Sequence, residues 1–243
     1  VHLHETQIGP VRLLAREDLR ERISKAAAQM PGLRFGLPFL LNEWEQVVDA
    51  WQLSSWEEYR DVKRLGRKTR LSDAHRQTLW QVFDSVRSGI ATDGLTSMAG
   101  VFTRLAGEVG KRKHPPFEHI VLDEAQDVTV AQLKFLAALG GARPNALFFA
   151  GDLGQRIFQM AFSWKSLGVD VRGRSHTLRV NYRTSHQIRR QADRLLGGEV
   201  ADVDGDVEVR KGTVSVFEGP EPVVRIADTE DDELTIVSSW LGE

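Results

Sequence analysis

Apolar side chains recur at three- and four-residue intervals through about the first 110 residues, and after that the pattern changes. Residues 16–30 place Leu19, Ile23, Ala26, Ala27 and Met30 at helical spacing, and Pro31-Gly32 stops the run. Residues 42–51 read as a helix opened by Asn42. Residues 54–65 open on Ser54 with Glu57 three positions on, which predicts a capping box. Residues 72–90 gather Ala74, Leu79, Val82, Phe83 and Val86 mostly on one face behind a Ser72-Asp73 cap, and residues 96–109 supply a further helix. This part of the chain predicts an all-helical module.

From His119 the texture is different. Residues 119–122 (HIVL) and 146–150 (ALFFA) are continuous apolar runs, the pattern of strands buried on both faces of a parallel sheet, and residues 176–180 (HTLRV) are a third candidate. Helical stretches at 129–141 and 184–198 alternate with them, and each ends in Gly-Gly, a C-terminal stop. Strand-helix-strand alternation predicts an α/β, doubly wound sheet. Beyond residue 198 the chain is turn-rich, with two short strands expected.

Composition narrows the options. The chain has 243 residues, 41% of them hydrophobic, enough for a sizeable core. It has no cysteine, which excludes disulfides and thiolate metal sites and suits a reducing compartment. No apolar run approaches the ~18 residues of a membrane span and no signal peptide is evident, so no membrane partner is expected. A net charge of -2 argues against a uniformly basic nucleic-acid binder but leaves room for a local basic patch. The chain begins with valine and residues 233–243 read as a helix cut short, so a piece of a longer protein is expected.

The chemistry concentrates after the strands. In LDEAQD, Asp123, Glu124 and Asp127 follow the carboxyl end of a strand, the edge where ligands bind in open α/β sheets. Phosphoryl transfer needs a carboxylate for Mg²⁺ and a second group to act on the attacking water, and adjacent Asp and Glu can divide those tasks. The competing reading is a solvated helix N-terminus, where acids favour the dipole. FFAGDLGQRIF (148–158) is a second strand that ends in Gly-Asp and carries Gln155, a candidate for contact with a γ-phosphate or its attacking water; the competing reading is an ordinary turn. LRVNYRTSHQI (178–188) offers Tyr182 for stacking on a base and Arg183 for neutralising transition-state charge; the competing reading is a surface loop.

Taken in order and spacing, DEAQD, GDLGQRIF and LRVNYRTS resemble motifs II, III and IV of the UvrD/Rep-type superfamily-1 DNA helicases. The likeness is specific from about Phe117 to Leu196. FLLNEWEQVV, EEYRDVKRLGRKTRLS and RQTLWQVF are similar, more softly, to a helical insertion that precedes motif II in a bacterial branch of that family. The resemblance implies a partial RecA-like parallel sheet of the P-loop NTPase type with a helical insertion subdomain. Residues 1–116 would be the insertion, 117–176 part of a first motor domain and 177–243 the start of a second. It implies ATP and Mg²⁺ as cofactors, with Asp123 as the metal ligand, Glu124 activating water, Gln155 sensing the γ-phosphate and coupling it to DNA, Arg183 as an arginine finger and Tyr182 packing on adenine. Gln126 and Asp152 would help organise the site. The implied partner is DNA, single-stranded or at a junction with duplex, and the implied setting is the bacterial cytoplasm, at the nucleoid. The family stacks bases on aromatics just after motif III, so Phe158, Phe162 and Trp164 are DNA candidates; Trp164 stands six residues after Phe158, where the family has two, and a core tryptophan is the alternative.

A phosphate-holding loop, G-x-x-x-x-G-K-[ST] between strand and helix, is required by such a motor. AGEVGKRKHPP (106–116) does not meet it, because only two residues separate Gly107 from Gly110 and Lys111 is followed by arginine. By family order the loop would precede Val1, and the isolated chain is expected to lack ATPase and unwinding activity. Residues 60–70 hold six basic residues among eleven; Arg64, Arg67 and Lys68 are candidate phosphate contacts, against a solvated helix end and loop. His2 and His4 lack a third ligand nearby in sequence and are expected to be inert. Besides the motor, a nucleic-acid-binding or regulatory module with a helicase-like fold and no ATPase, or a larger helicase-nuclease, remains open.

Overall fold

The computed structural model describes the chain except residues 66–68, 142, 153, 154, 156–160, 195–198, 202, 206, 210, 211 and 243. The class is mixed α/β. The chain divides into two compact units, Val1–Ser175 with Asp202–Asp206, and His176–Ala201 with Val207–Glu243. Among the described residues no helix is long and apolar enough to cross a membrane.

The first unit opens with α1 (His2–Gln7), β1 (Arg12–Leu13) and α2 (Arg16–Ala28), which buries Leu19, Ile23 and Ala26 as its spacing predicts. The next helix starts earlier than expected. α3 (Leu37–Glu43) follows Gly36 and carries Pro38 in its first turn, where a fixed φ and a missing N–H cost nothing, so Asn42 lies inside the helix and does not cap it. A π-helical turn, Trp44–Val48, leads into the short α4 (Asp49–Trp51), which a left-handed Gln52 ends. α5 (Trp56–Asp61) is capped one residue later than predicted: Ser55 accepts from the Glu58 N–H, while the Glu58 carboxylate accepts from the N–H and hydroxyl of Ser54. α6 (Asp73–Thr92) begins at the predicted Ser72 cap. Its face of Leu79, Val82, Phe83 and Val86 packs with Ile23, Leu40, Trp44 and Tyr59 into the helical core.

β2 (Leu95–Thr96) pairs in parallel with β1, and α7 (Met98–Gly110) leads to β3 (Ile120–Leu122), α8 (Val130–Gly140) and β4 (Leu147–Phe149). β3 and β4 are parallel, with Leu122 opposite Phe149, so β3-α8-β4 is a crossover unit. Here the structure departs from the sequence pattern. Ile120, Leu122, Leu147 and Phe149 face Val128, Leu133 and Leu136, but Val121 and Phe148 on the opposite face are 72% and 62% exposed. Among the described residues a layer covers only one face of these strands, so the apolar runs are half-buried.

In the second unit the third predicted strand shrinks to β5 (Val180–Asn181), parallel to β8 (Val214–Ser215). α9 (His186–Ala192) follows β5. β6 (Glu199–Ala201) and β7 (Val207–Val209) form an antiparallel pair, and α10 (Glu230–Leu241) follows β8. Each sheet among the described residues has two strands.

Candidate functional site

Two turns meet at the carboxyl ends of β3 and β4, and parallel register sets them side by side. After Leu122 the chain passes through Asp123 and Glu124 into a 3₁₀ turn, Ala125–Asp127. Thr129 and Gln132 then form a reciprocal capping box that starts α8. After Phe149 come Ala150, Gly151 and Asp152. Backbone bonds join the turns: the Ala150 N–H donates to Leu122 O and the Ala125 N–H to Ala150 O, both at 2.8 Å.

Side chains complete the junction. Gln126 is buried, 5% exposed. Its Nε2 donates to Glu124 Oε2 at 2.7 Å, and its Oε1 accepts from the Asp152 N–H at 3.1 Å. Gln155 Nε2 donates to Asp152 Oδ2 at 2.9 Å. The Asp123 carboxylate accepts from the Glu124 N–H at 2.9 Å. Gly151 permits the close approach, because a Cβ there would lie 2.6 Å from Gln126 Oε1 and 3.0 Å from the Ala125 nitrogen. Glu124 itself has φ +53°. A left-handed residue with a Cβ costs about 1–2 kcal/mol, so the hydrogen bonds around Glu124 hold a conformation that the free chain disfavours.

Asp123, Glu124 and Asp127 stand exposed at the edge of a cleft of about 350 Å³ that reaches down to Phe102, Phe135 and Leu136. Among the described residues no three His, Asp or Glu converge as a metal site. Asp123 and Glu124 could supply the one or two carboxylates that Mg²⁺ takes while it keeps most of its waters.

The first unit thus brings together Asp123, Glu124, Gln126, Asp152 and Gln155. In the second unit Tyr182 and Arg183 follow β5. Asn181 Oδ1 accepts from the N–H groups of Arg183 and Thr184, which turns the chain sharply, and Ser185 caps α9. Tyr182 is 75% exposed, and Arg183 is exposed as well.

The proposed DNA contacts fare differently. Arg64 is not a surface cation. Its Nε and Nη2 donate to the two oxygens of the fully buried Glu43 at 2.8 and 2.7 Å, its Nη1 donates to Thr69 O, and Tyr59 OH donates to Glu43 Oε1. Phe162 is buried among Val128, Val130 and Leu133 and meets the Trp51 ring edge-on, so it is a core residue with no face for a base. Trp164 is half-buried, with its ring T-shaped against Phe149 at 4.9 Å. Arg67, Lys68 and Phe158 lie outside the described residues. Residues 106–110 belong to the C-terminal turns of α7, whose end presents carbonyls and not the N–H groups a phosphate needs. His4 is buried, with Nδ1 3.0 Å from Gly9 O.

Sequence reasoning did not find the close-approach role of Gly151 or the left-handed Glu124. The glycine between an apolar run and Asp152 was the available signal. Among models of known families none matches this chain, and no curated protein matches it either.

Proposed function

We propose that this chain is a section of an ATP-driven DNA motor of the UvrD/Rep superfamily-1 type, with β3-α8-β4 as part of a RecA-like sheet. The observation that carries the reading is the junction of the two turns. A strand-end Asp-Glu pair and a Gly-Asp turn bearing Gln155 lie side by side at the carboxyl edge of two parallel strands, tied by Gln126. That edge is where α/β sheets hold phosphate ligands, and these groups are the ones hydrolysis needs.

In this reading Asp123 holds Mg²⁺, and Glu124 takes the proton of the attacking water. Gln155 contacts the γ-phosphate end of the nucleotide and links it to DNA. Tyr182 offers its exposed ring to the adenine, and Arg183 offers its guanidinium to the charge that develops on transfer. When bound, Mg²⁺-ATP supplies the phosphoryl group and neutralises its charge. Among the described residues this junction supplies an acidic edge and no phosphate cradle. The reading places the protein in the cytoplasm, at the nucleoid, on single-stranded DNA or its junction with duplex.

The test is ATP turnover, with and without single-stranded DNA, by the intact protein that carries this segment. Glu124→Gln is expected to lower kcat by about 10²–10⁴-fold while nucleotide binding persists. The isolated chain is expected to turn over nothing. Undiminished hydrolysis by the Glu124→Gln protein overturns the proposal, and DNA-stimulated hydrolysis by the isolated chain overturns the expectation that it is inactive alone. An intact protein that binds DNA and never hydrolyses ATP is instead a binding module.

A further inference from the structure

The polar contacts at the junction form one continuous series. Gln155 donates to Asp152, the Asp152 N–H donates to Gln126, and Gln126 donates to Glu124, at 2.9, 3.1 and 2.7 Å. A primary amide is the side chain that can do both of Gln126's tasks at once, since it accepts from a backbone N–H through one atom and donates to a carboxylate through the other. Burial leaves that amide no water to substitute for either partner.

We infer that Gln126 is a positioning residue that makes the orientation of Glu124 depend on the seating of the turn that carries Gln155. The inference rests on the motor reading for its catalytic meaning. Glu124 sits in the left-handed region, which residues with a Cβ leave unless their surroundings hold them. The Gln126 amide is one of those restraints, and its other end is fixed to the β4 turn and not to Glu124's own loop. When the backbone at Asp152 and the Gln155 side chain are seated, the amide is shared and the Glu124 carboxylate is held. When that turn moves, the Asp152 N–H withdraws, the amide is free to rotate, and the restraint on Glu124 goes with it. A ligand that shifts Gln155 thereby changes the alignment of the base without touching it. Gly151 serves the same arrangement, because any larger residue there would push the amide away.

Two measurements test this. In the 243-residue chain, hydrogen exchange and amide NMR read the tie directly. Gln126→Met keeps the buried volume and removes both hydrogen bonds; it is expected to speed exchange of the Asp152 N–H by about tenfold or more. Glu124→Gln is expected to shift the signals of the Gln126 side-chain amide and the Asp152 N–H. An Asp152 N–H that is indifferent to both substitutions overturns the relay, whatever the enzymology. In the intact protein, Gln126→Met is expected to lower DNA-stimulated kcat by about tenfold or more while KM for ATP stays within about twofold, since the defect is misalignment and not lost binding. Combining it with Gln155→Ala should be no worse than the worse single substitution. A live enzyme in which the two effects multiply, or in which Gln126→Met is silent, overturns the relay alone. An unaltered protein without ATP turnover removes the motor reading and the catalytic role of the tie together.

Discussion

Arg64 offers the sharpest separation between a structural and a nucleic-acid role. Its side chain is 6% exposed and that of Glu43 is 0% exposed. Replacing Arg64 with alanine removes two charge-assisted bonds to Glu43 and one bond to Thr69 O, and leaves the buried Glu43 carboxylate without its guanidinium, although the Tyr59 hydroxyl still donates to it. Removing one member of a buried pair costs about 3–5 kcal/mol, a large part of the roughly 5–15 kcal/mol that holds a domain folded. With a urea slope of about 3 kcal/mol per M, the midpoint should fall by about 1 M or more. Trp44 and Trp80 are buried in the same core, so tryptophan fluorescence reports the transition. Replacing the pair together, Glu43→Leu with Arg64→Met, should recover most of the loss, because no charge is then left stranded. The reasoning is refuted if Arg64→Ala leaves the midpoint unchanged and instead lowers the salt dependence of DNA binding by about one phosphate contact.

Phe162→Ala should cost about 3–5 kcal/mol in thermal or urea unfolding, as for any large core aromatic, and leave affinity for a single-stranded oligonucleotide unchanged where the protein remains folded. Loss of about 1–3 kcal/mol in DNA affinity with full stability would restore the stacking role. Asp49 gives a pH prediction. Burial raises its carboxyl above the ordinary value near 3.8, against the hydrogen bonds it accepts from Ser97 and Gln52. The unfolded chain therefore releases this proton first, and stability from the protonated group is lost as pH rises from that ordinary value through the raised one. Asp49→Asn keeps an oxygen for both donors and removes the charge. Its unfolding temperature should decline less than that of the unaltered protein from pH 4 upward, and parallel curves would contradict the assignment.

Local signals were legible where a marker residue abuts a periodic run. Ser72 capped α6 as read, and the spacing of Leu19, Ile23 and Ala26 found the buried face of α2. Ser54/Glu57 and Ser55/Glu58 both satisfy the capping pattern, and burial of Tyr59 accompanies the second, a tertiary choice that local sequence does not encode. The apolar runs at 119–122 and 146–150 located β3 and β4. Burial on both faces also needs a second covering layer, and Val121 and Phe148 have none among the described residues. The basic run at 60–70 concealed Arg64 because its partner, Glu43, is 21 residues away.

The candidate site divides along the same line. Residue types at strand ends marked Asp123, Glu124, Asp152 and Gln155, because chemistry at a sheet edge is visible in composition. What joins them was not visible, since it depends on register. Leu122 faces Phe149 across the parallel pair, and from that alignment the next residues of each strand meet as Ala125 with Ala150 and Gln126 with Asp152. A shift of one residue in either strand would turn the side chains to the opposite face and separate the Gln126 amide from the β4 turn. Gly151 then follows as a requirement of that register, because two backbones this close leave no room for a Cβ. The alignment of Glu124 is therefore a property of how two strands pair, and a change in their register should misplace its carboxylate while every candidate residue keeps its identity.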